Sequence, residues 1–324
     1  MRKHYVALLV IAVILAVLSF VLPISEQRTL VFIALFVLTL IGQVIFLGYT
    51  GQILLCQATF MAIGGYGTAI ITVKYGVPSI VGILFGVVLG IIFAYIIGMI
   101  ILRLRTFYLA IATLAIALIT DALLKGWISL TGGYSGITGI PPIAIGGLVF
   151  ENVNLFYGLA WIIAFIGWLF ALHLGRSRFG RALKTIKGNE MVASSVGINV
   201  TKYKVTALMI TGAYAALSGA LMVHFMGLAL PGFFSIEESF LIIMAAILGG
   251  ASSVYGVFLA APVLEYLPDL FLKLGDYKLI IYGLLFVLVP MYFMDGLVGL
   301  VTRLARRVHK IRLKNYPSGK TIAG

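Results

Sequence analysis

Apolar residues in this chain run in long blocks, separated by short polar stretches. The blocks are Tyr5–Leu22, Thr29–Leu47, Ile53–Val73, Ile80–Leu102, Phe107–Leu124, Leu155–Leu172, Val205–Phe225, Phe240–Leu248, Val254–Leu272 and Leu279–Leu300. Most approach the roughly 20 residues a helix needs to cross the hydrocarbon core. They lack the polar–apolar alternation of barrel strands. The pattern predicts an all-α membrane protein, a polytopic bundle of about ten transmembrane helices, some short or broken. It forms one membrane domain over 1–324: a first helix and external turn (1–28), a first part of the bundle (29–173), a polar loop (174–204), a second part (205–301) and a basic tail (302–324).

Two blocks are interrupted. Phe240–Leu248 is too short to cross alone and is parted from Val254–Leu272 by Gly249-Gly250-Ala251-Ser252-Ser253. That pattern fits a half-helix joined to its partner by irregular backbone, which a bilayer tolerates only inside protein or along a wet cavity. The second interruption, "GYTGQILLCQATFMAIGGYGTAI" (Gly48–Ile70), sets Gln52, Gln57, Thr59, Gly64, Gly65, Tyr66 and Gly67 into a nominal span. Small residues there suit close helix packing. The amides suit the wall of a translocation path, because polar groups in lipid are costly unless they face a bundle interior.

Composition agrees with the pattern. The chain is 62% hydrophobic and 10% charged, against about 25% charged in soluble domains. Its net charge of +13 lies in short clusters between apolar blocks, which argues against nucleic acid and for loops on the cytoplasmic side. Placing Arg2 and Lys3 inside puts Arg103, Arg105, Arg176, Arg178, Arg181, Lys184, Lys187, Lys202 and Lys204 inside as well. The tail from Arg303 to Lys314 joins them if the number of spans is even, so both termini are cytoplasmic. Even parity also allows five helices before the long external stretch and five after it, an inverted 5+5 organisation common in transporters. The basic, apolar N-terminus resembles a signal peptide. It lacks a small-x-small cleavage site, so it reads as a retained first helix. Cys56 is the single cysteine, which leaves no intrachain disulfide.

Candidate chemistry is sparse. Most of the ten acidic residues fall near span ends. Asp121, toward the outer end of a span, reads either as a wet helix terminus or as a contact for a cationic group of the cargo. His4, His173, His224 and His309 lack metal-ligand spacing, and no nucleophile–base arrangement is evident, so the chain is not read as an enzyme and holds no metal. "GKT" at 319–321 lacks the glycine that a phosphate-binding loop needs, because that position is Lys314.

The longest polar insert stands out against this background. In "GRALKTIKGNEMVASSVGINVTKYKV" (Gly180–Val205), preceded by Phe179, the residues Phe179, Leu183, Ile186, Glu190 and Ala193 share one mostly apolar helical face, from which Lys184 and Lys187 project away. Gly188 can stop one short helix and Asn189 can cap another. Gly197 can end the second helix, and Thr201 can cap the span that follows. Such a pair can rest on anionic lipid or dock a cytoplasmic partner.

This insert resembles the cytoplasmic coupling loop of branched-chain amino-acid ABC transporter permeases of the LivM type. "GYTGQILLCQATFMAIGGYGTAI", "LRTFYLAIATLA" (Leu104–Ala115), "LTGGYSGITGIP" (Leu130–Pro141) and "ILGGASSVYGVFLAAPVLEYLP" (Ile247–Pro268) resemble further stretches of that family, in the same order. Cys56 replaces a glycine usual before Gln57, and Asp121 stands where the family commonly has Glu. The resemblance implies a permease of a prokaryotic plasma (inner) membrane. Its implied partners are a second related permease, two cytoplasmic ATPase subunits and an extracytoplasmic substrate-binding protein. It implies no cofactor in this chain, with ATP bound by the partner. Gly180, Arg181, Lys187, Asn189, Glu190, Ala193, Gly197 and Ile198 match the ATPase-coupling loop. Gln52, Gln57, Gly64, Gly65, Tyr66, Asp121, Gly249, Gly250 and Ser252 are candidates for the translocation path. A permease for urea or short amides shares the same motifs. A self-sufficient secondary transporter is the other class, disfavoured because buried charges for an ion relay are scarce.

Overall fold

A computed structural model describes residues 23–104 and 106–272, with isolated positions at 283, 284, 288, 291 and 296. The first apolar block, most of the Leu279–Leu300 block and the basic tail therefore lie outside the described residues. Among the described residues the chain is mostly helical, with a largely irregular stretch over 132–152. Six helices are long and apolar enough to cross a membrane: Ile24–Gly48, Ser79–Ile101, Phe107–Gly126, Val153–Arg176, Val200–Met226 and Pro231–Gly249. We label the helices α1 (Ile24–Gln43, continued by a π-helical turn Val44–Gly48), α2 (Gln57–Tyr75), α3 (Ser79–Ile101), α4 (Thr106–Gly126), α5 (Ile128–Thr131), α6 (Val153–Arg176), α7 (Arg178–Gly188), α8 (Glu190–Ser195), α9 (Val200–Met226), α10 (Ile236–Gly249) and α11 (Val257–Leu272).

Helix α9 is the hub, packed on α1, α2 and α3. Its crossings are built from small residues, which let backbones approach closely enough for dispersion to hold helices together in lipid. A Cβ on Gly64 of α2 would strike the Ala216 backbone of α9, and one on Gly219 would strike Met61. Gly86 of α3 meets Gly64, and Gly90 meets Ala216. Two hydroxyls of α9 add polar contacts to α1: Thr211 Oγ1 donates to the Gly42 carbonyl (2.9 Å) and Ser218 Oγ to that of Leu35 (2.8 Å).

The ends of the bundle differ. Arg103, Arg176, Arg178, Arg181, Lys184, Lys187, Lys202 and Lys204 gather at the end carrying α7 and α8. Helix α9 runs from there for 27 residues, roughly 40 Å at 1.5 Å per residue. At the opposite end Leu228–Ala229 pairs antiparallel with Ile137–Thr138, and Ala144–Ile145 pairs with Leu148–Val149 in a small hairpin.

Both interrupted blocks differ in detail from expectation. The Ile53–Val73 block does not form one span: α2 starts only at Gln57, and Tyr49–Cys56 is largely non-helical. That segment climbs back along α1, because Gln43 Nε2 donates to the Leu54 carbonyl (3.1 Å) and Gln57 Nε2 to that of Thr39 (3.3 Å). Thr39 lies roughly 13 Å before Gly48 along the helix at 1.5 Å per residue. Side chains from distant helices satisfy amides of this segment and of the first turn of α2: Leu55 N–H donates to Thr113 Oγ1 of α4 (3.1 Å) and Ala58 N–H to Ser239 Oγ of α10 (3.0 Å). The Phe240–Leu248 block is longer than its apolar core suggests. Ser235 caps α10, and the 3₁₀ turn Pro231–Phe234 extends it into a candidate span. A turn at Gly250, with φ +104, then separates α10 from α11.

Candidate functional site: the loop at the basic end

Helix α7 starts at Ser177, whose Oγ accepts from Gly180 N–H (3.1 Å). Gly180 has no room for a Cβ, since the Leu174 carbonyl and the Gly175 backbone press on it. The helix therefore lies close against the end of α6. It buries Ala182, Leu183 and Ile186, while Phe179 stacks on Tyr203 at 5.3 Å. Arg181 is exposed and donates to the Arg176 carbonyl (2.7 Å). The break after Gly188 is extended backbone at Asn189, φ −162, whose Oδ1 accepts from Met191 N–H (2.9 Å) and Val192 N–H (3.2 Å). In α8 only Ala193 is buried. Gly197 takes the left-handed conformation, φ +83, which lets Ile198 N–H return to the Ala193 carbonyl (3.1 Å). The insert thus forms two short helices, but the cap of α9 is Asn199, not Thr201: its Oδ1 accepts from Lys202 N–H (3.0 Å). Met191, Val192 and Val196, at 78%, 53% and 66% exposure, face away from the bundle.

Three charged side chains of the loop, Lys184, Lys187 and Glu190, turn toward the bundle. Glu190 forms a 2.6 Å ion pair with Lys204 of α9 and accepts from Gln52 Nε2 (3.4 Å). It thus belongs to a tie with the bundle, and the apolar face ends at Ala193 without it. Lys187 Nζ donates to the Gly48 carbonyl (2.9 Å) and to Ser252 Oγ (3.0 Å). Lys184 donates to the Gly175 carbonyl (2.9 Å) and sits 5.0 Å over the Tyr49 ring. The lysines that the helical pattern points away from the apolar face therefore hold the loop down as well.

The structure brings Gln52 and Ser252 to this loop and leaves other path candidates elsewhere. Gln57 opens α2 deep in the bundle. Its Oε1, like those of Gln43 and Gln52 and like Thr59 Oγ1, is buried without a hydrogen-bond partner. Gly64 and Gly65 lie at helix crossings, the latter against Phe234, Val223 and Gly219. Gly249 lies against Gly256, and Gly250 holds the turn. Asp121 is at the opposite end, paired with Lys125 four residues on at 2.6 Å. Tyr66 lies edge-on to Phe234 at 5.9 Å. It lines an almost wholly apolar cavity of about 410 Å³ with Ile70, Ile97, Ile116, Leu123 and Trp127. Sequence reasoning passed over that cavity, since its isoleucines and leucines look like any lipid-facing residue. It counted Lys204 only among the basic residues of the loop end; with Lys202 two positions before it, no sequence signal sets it apart.

A family model described as branched-chain amino acid transport system / permease component matches residues 27–290. The chain belongs to this family. This permease is 28% identical over 281 residues to the high-affinity branched-chain amino acid transport system permease protein LivM of Salmonella typhimurium, covering 80% of this chain and 66% of the relative. It is 28% identical over 313 residues to LivM of Escherichia coli, covering 88% and 74%. It is 29% identical over 189 residues to the LivH permease protein of Escherichia coli, covering 54% and 60%. The chain thus spans about two thirds to three quarters of the length of the LivM relatives. No solved structure matches it.

Proposed function

We propose that this permease is a membrane-spanning subunit of an ATP-driven importer of branched-chain or similar amino acids. The observation that carries the reading is the α7–α8 loop. A lipid anchor has no use for a capped break at Asn189 or for an apolar patch (Met191, Val192, Val196) raised on a helix whose other face is tied to the bundle. A rigid, shallow apolar knob with polar surroundings suits insertion into a cleft on another protein. We assign that cleft to a cytoplasmic ATPase pair, which binds the ATP, so this chain needs no cofactor of its own. A second related permease completes the path, and an extracytoplasmic binding protein delivers the cargo.

The gathering of basic residues at the loop end supports a cytoplasmic loop in a prokaryotic inner membrane. Ten spans in two inverted halves, with both termini inside, require that α2, α11 and the blocks Tyr5–Leu22 and Leu279–Leu300 cross in addition to the six long helices. ATPase closure would push α8 and rock the helices behind it, opening the path to each side in turn.

The test is co-purification followed by reconstitution. The chain should capture a cytoplasmic ATPase, and proteoliposomes of the assembled importer should take up leucine only with ATP and binding protein present. Ion-gradient-driven uptake by this chain alone, without ATPase capture, would overturn the reading.

A further inference from the structure

The two interrupted segments meet each other under the coupling loop. A Cβ on Gly48, at the end of the π-helical turn of α1, would collide with the Ala251 carbonyl in the turn after α10. The two chain segments therefore touch backbone to backbone, although about two hundred residues apart in sequence. Lys187 sits on that contact. Its ammonium bonds one atom from each side, the Gly48 carbonyl at 2.9 Å and Ser252 Oγ at 3.0 Å. Its stem passes over Gly51, where a Cβ would lie 3.1 Å from Lys187 Cγ. Gly51 has φ +72, a conformation that disfavours a side chain in any case. Three residues on, Glu190 makes the second tie, to Gln52 on the same irregular segment and to Lys204 on α9.

We infer that Lys187 is a positioning residue that transmits movement of the loop to both interrupted segments at once, rather than a contact for the ATPase. This rests on the importer reading above and deepens it. An apolar face can slide, but a charge-assisted bond to a main-chain carbonyl fixes direction as well as distance. Helix α7 is also held to the end of α6 by Lys184 on the Gly175 carbonyl, so α6 and α7 carry Lys187 together. The segments it grips are both breaks in regular α-helical hydrogen bonding, which move more readily than helix interiors. A load applied to Met191 and Val192 on α8 reaches Gly48 and Ser252 through one side chain. Coupling through a physical connection of this kind is measured as a coupling energy between sites.

The experiment uses the complete importer in proteoliposomes, with leucine uptake and ATP hydrolysis read in the same sample. Lys187→Met keeps the stem over Gly51 and removes the ammonium. It should still co-purify with the ATPase and hydrolyse ATP, while leucine taken up per ATP falls about tenfold, within the usual range of allosteric coupling. Lys187→Arg should recover most of that ratio. Ser252→Ala removes one exposed hydroxyl and is the arm that remains if Lys187→Met fails to fold. It should lower the ratio about threefold, and it should lower it no further in a Lys187→Met background if the two act through the same bond. An unchanged ratio in Ser252→Ala, or in an assembled Lys187→Met, overturns the inference. So does loss of ATPase capture in Lys187→Met, which would make the residue a partner contact. If the wild-type chain captures no ATPase, the importer reading itself has failed, and that outcome is distinct from these.

Discussion

Lys204 and Glu190 form a 2.6 Å ion pair in which the lysine side chain is 3% exposed and the carboxylate 49%. The pair pins the start of α9, the hub of the bundle, to the start of α8. A buried ammonium tolerates its position only while its counter-charge is present.

Glu190→Gln should therefore destabilise the purified protein, by on the order of 1–3 kcal/mol. Adding Lys204→Met should return part of the loss, because no charge is then stranded. Denaturation midpoints of the two single variants and the double variant check this. Additive losses would remove the pair from the account.

Gly64→Val should fail to accumulate as monodisperse protein, because the opposing atoms are the Ala216 backbone and cannot rotate away. Gly158→Ala, where nothing lies within 4 Å of the added methyl, should express normally. Size-exclusion profiles in detergent compare them.

Asn189→Ala removes the only side-chain cap of α8 and should cost about 1 kcal/mol of local helix stability. Asn189→Asp should keep most of it. Hydrogen exchange at the Met191 and Val192 amides is the direct measurement, and equal protection in Asn189→Ala would contradict the cap.

Met191→Glu places a charge on the most exposed apolar side chain of the loop. It should leave the bundle unaltered and lower ATPase capture about tenfold, the effect of roughly 1.4 kcal/mol at an interface. Capture by pull-down against the same ATPase concentration reads it.

Tyr66→Phe deletes a buried hydroxyl that has no hydrogen-bond partner. Such a deletion relieves an unpaid desolvation, so stability should hold or rise by about 1 kcal/mol. A fall in the unfolding midpoint would mean the hydroxyl is bonded in the native protein.

Much of this was legible in the residues. Unbroken apolar blocks located the long helices, since a helix in lipid has to be greasy on nearly every face. Gly188, Asn189 and Gly197 located the break and end of the loop helices, because capping is local chemistry. The cap of α9 was misplaced by two residues, since Asn199 and Thr201 offer the same oxygen and only geometry chooses. The direction of Lys184, Lys187 and Glu190 was not legible. Periodicity gives a residue's face, whereas their partners are set by the fold: the Gly175 carbonyl for Lys184, Lys204 of α9 for Glu190, and for Lys187 a carbonyl and a hydroxyl far away in sequence. The start of α2 was hidden for a related reason: Ile53, Leu54 and Leu55 are as apolar as a helix interior, and only the glutamines and threonines around them reveal a backbone that needs outside partners.

The climbing segment Tyr49–Cys56 also bears on how the protein is made. Leu55 and Ala58 find their acceptors on Thr113 and Ser239, 58 and 181 residues further along the chain. When α1 and α2 first leave the ribosome those acceptors do not exist. The Leu55 and Ala58 amides therefore gain these partners only once α4 and α10 are in place. A truncation before Ser239 would leave an insertion intermediate, with a polar seam for quality control to recognise.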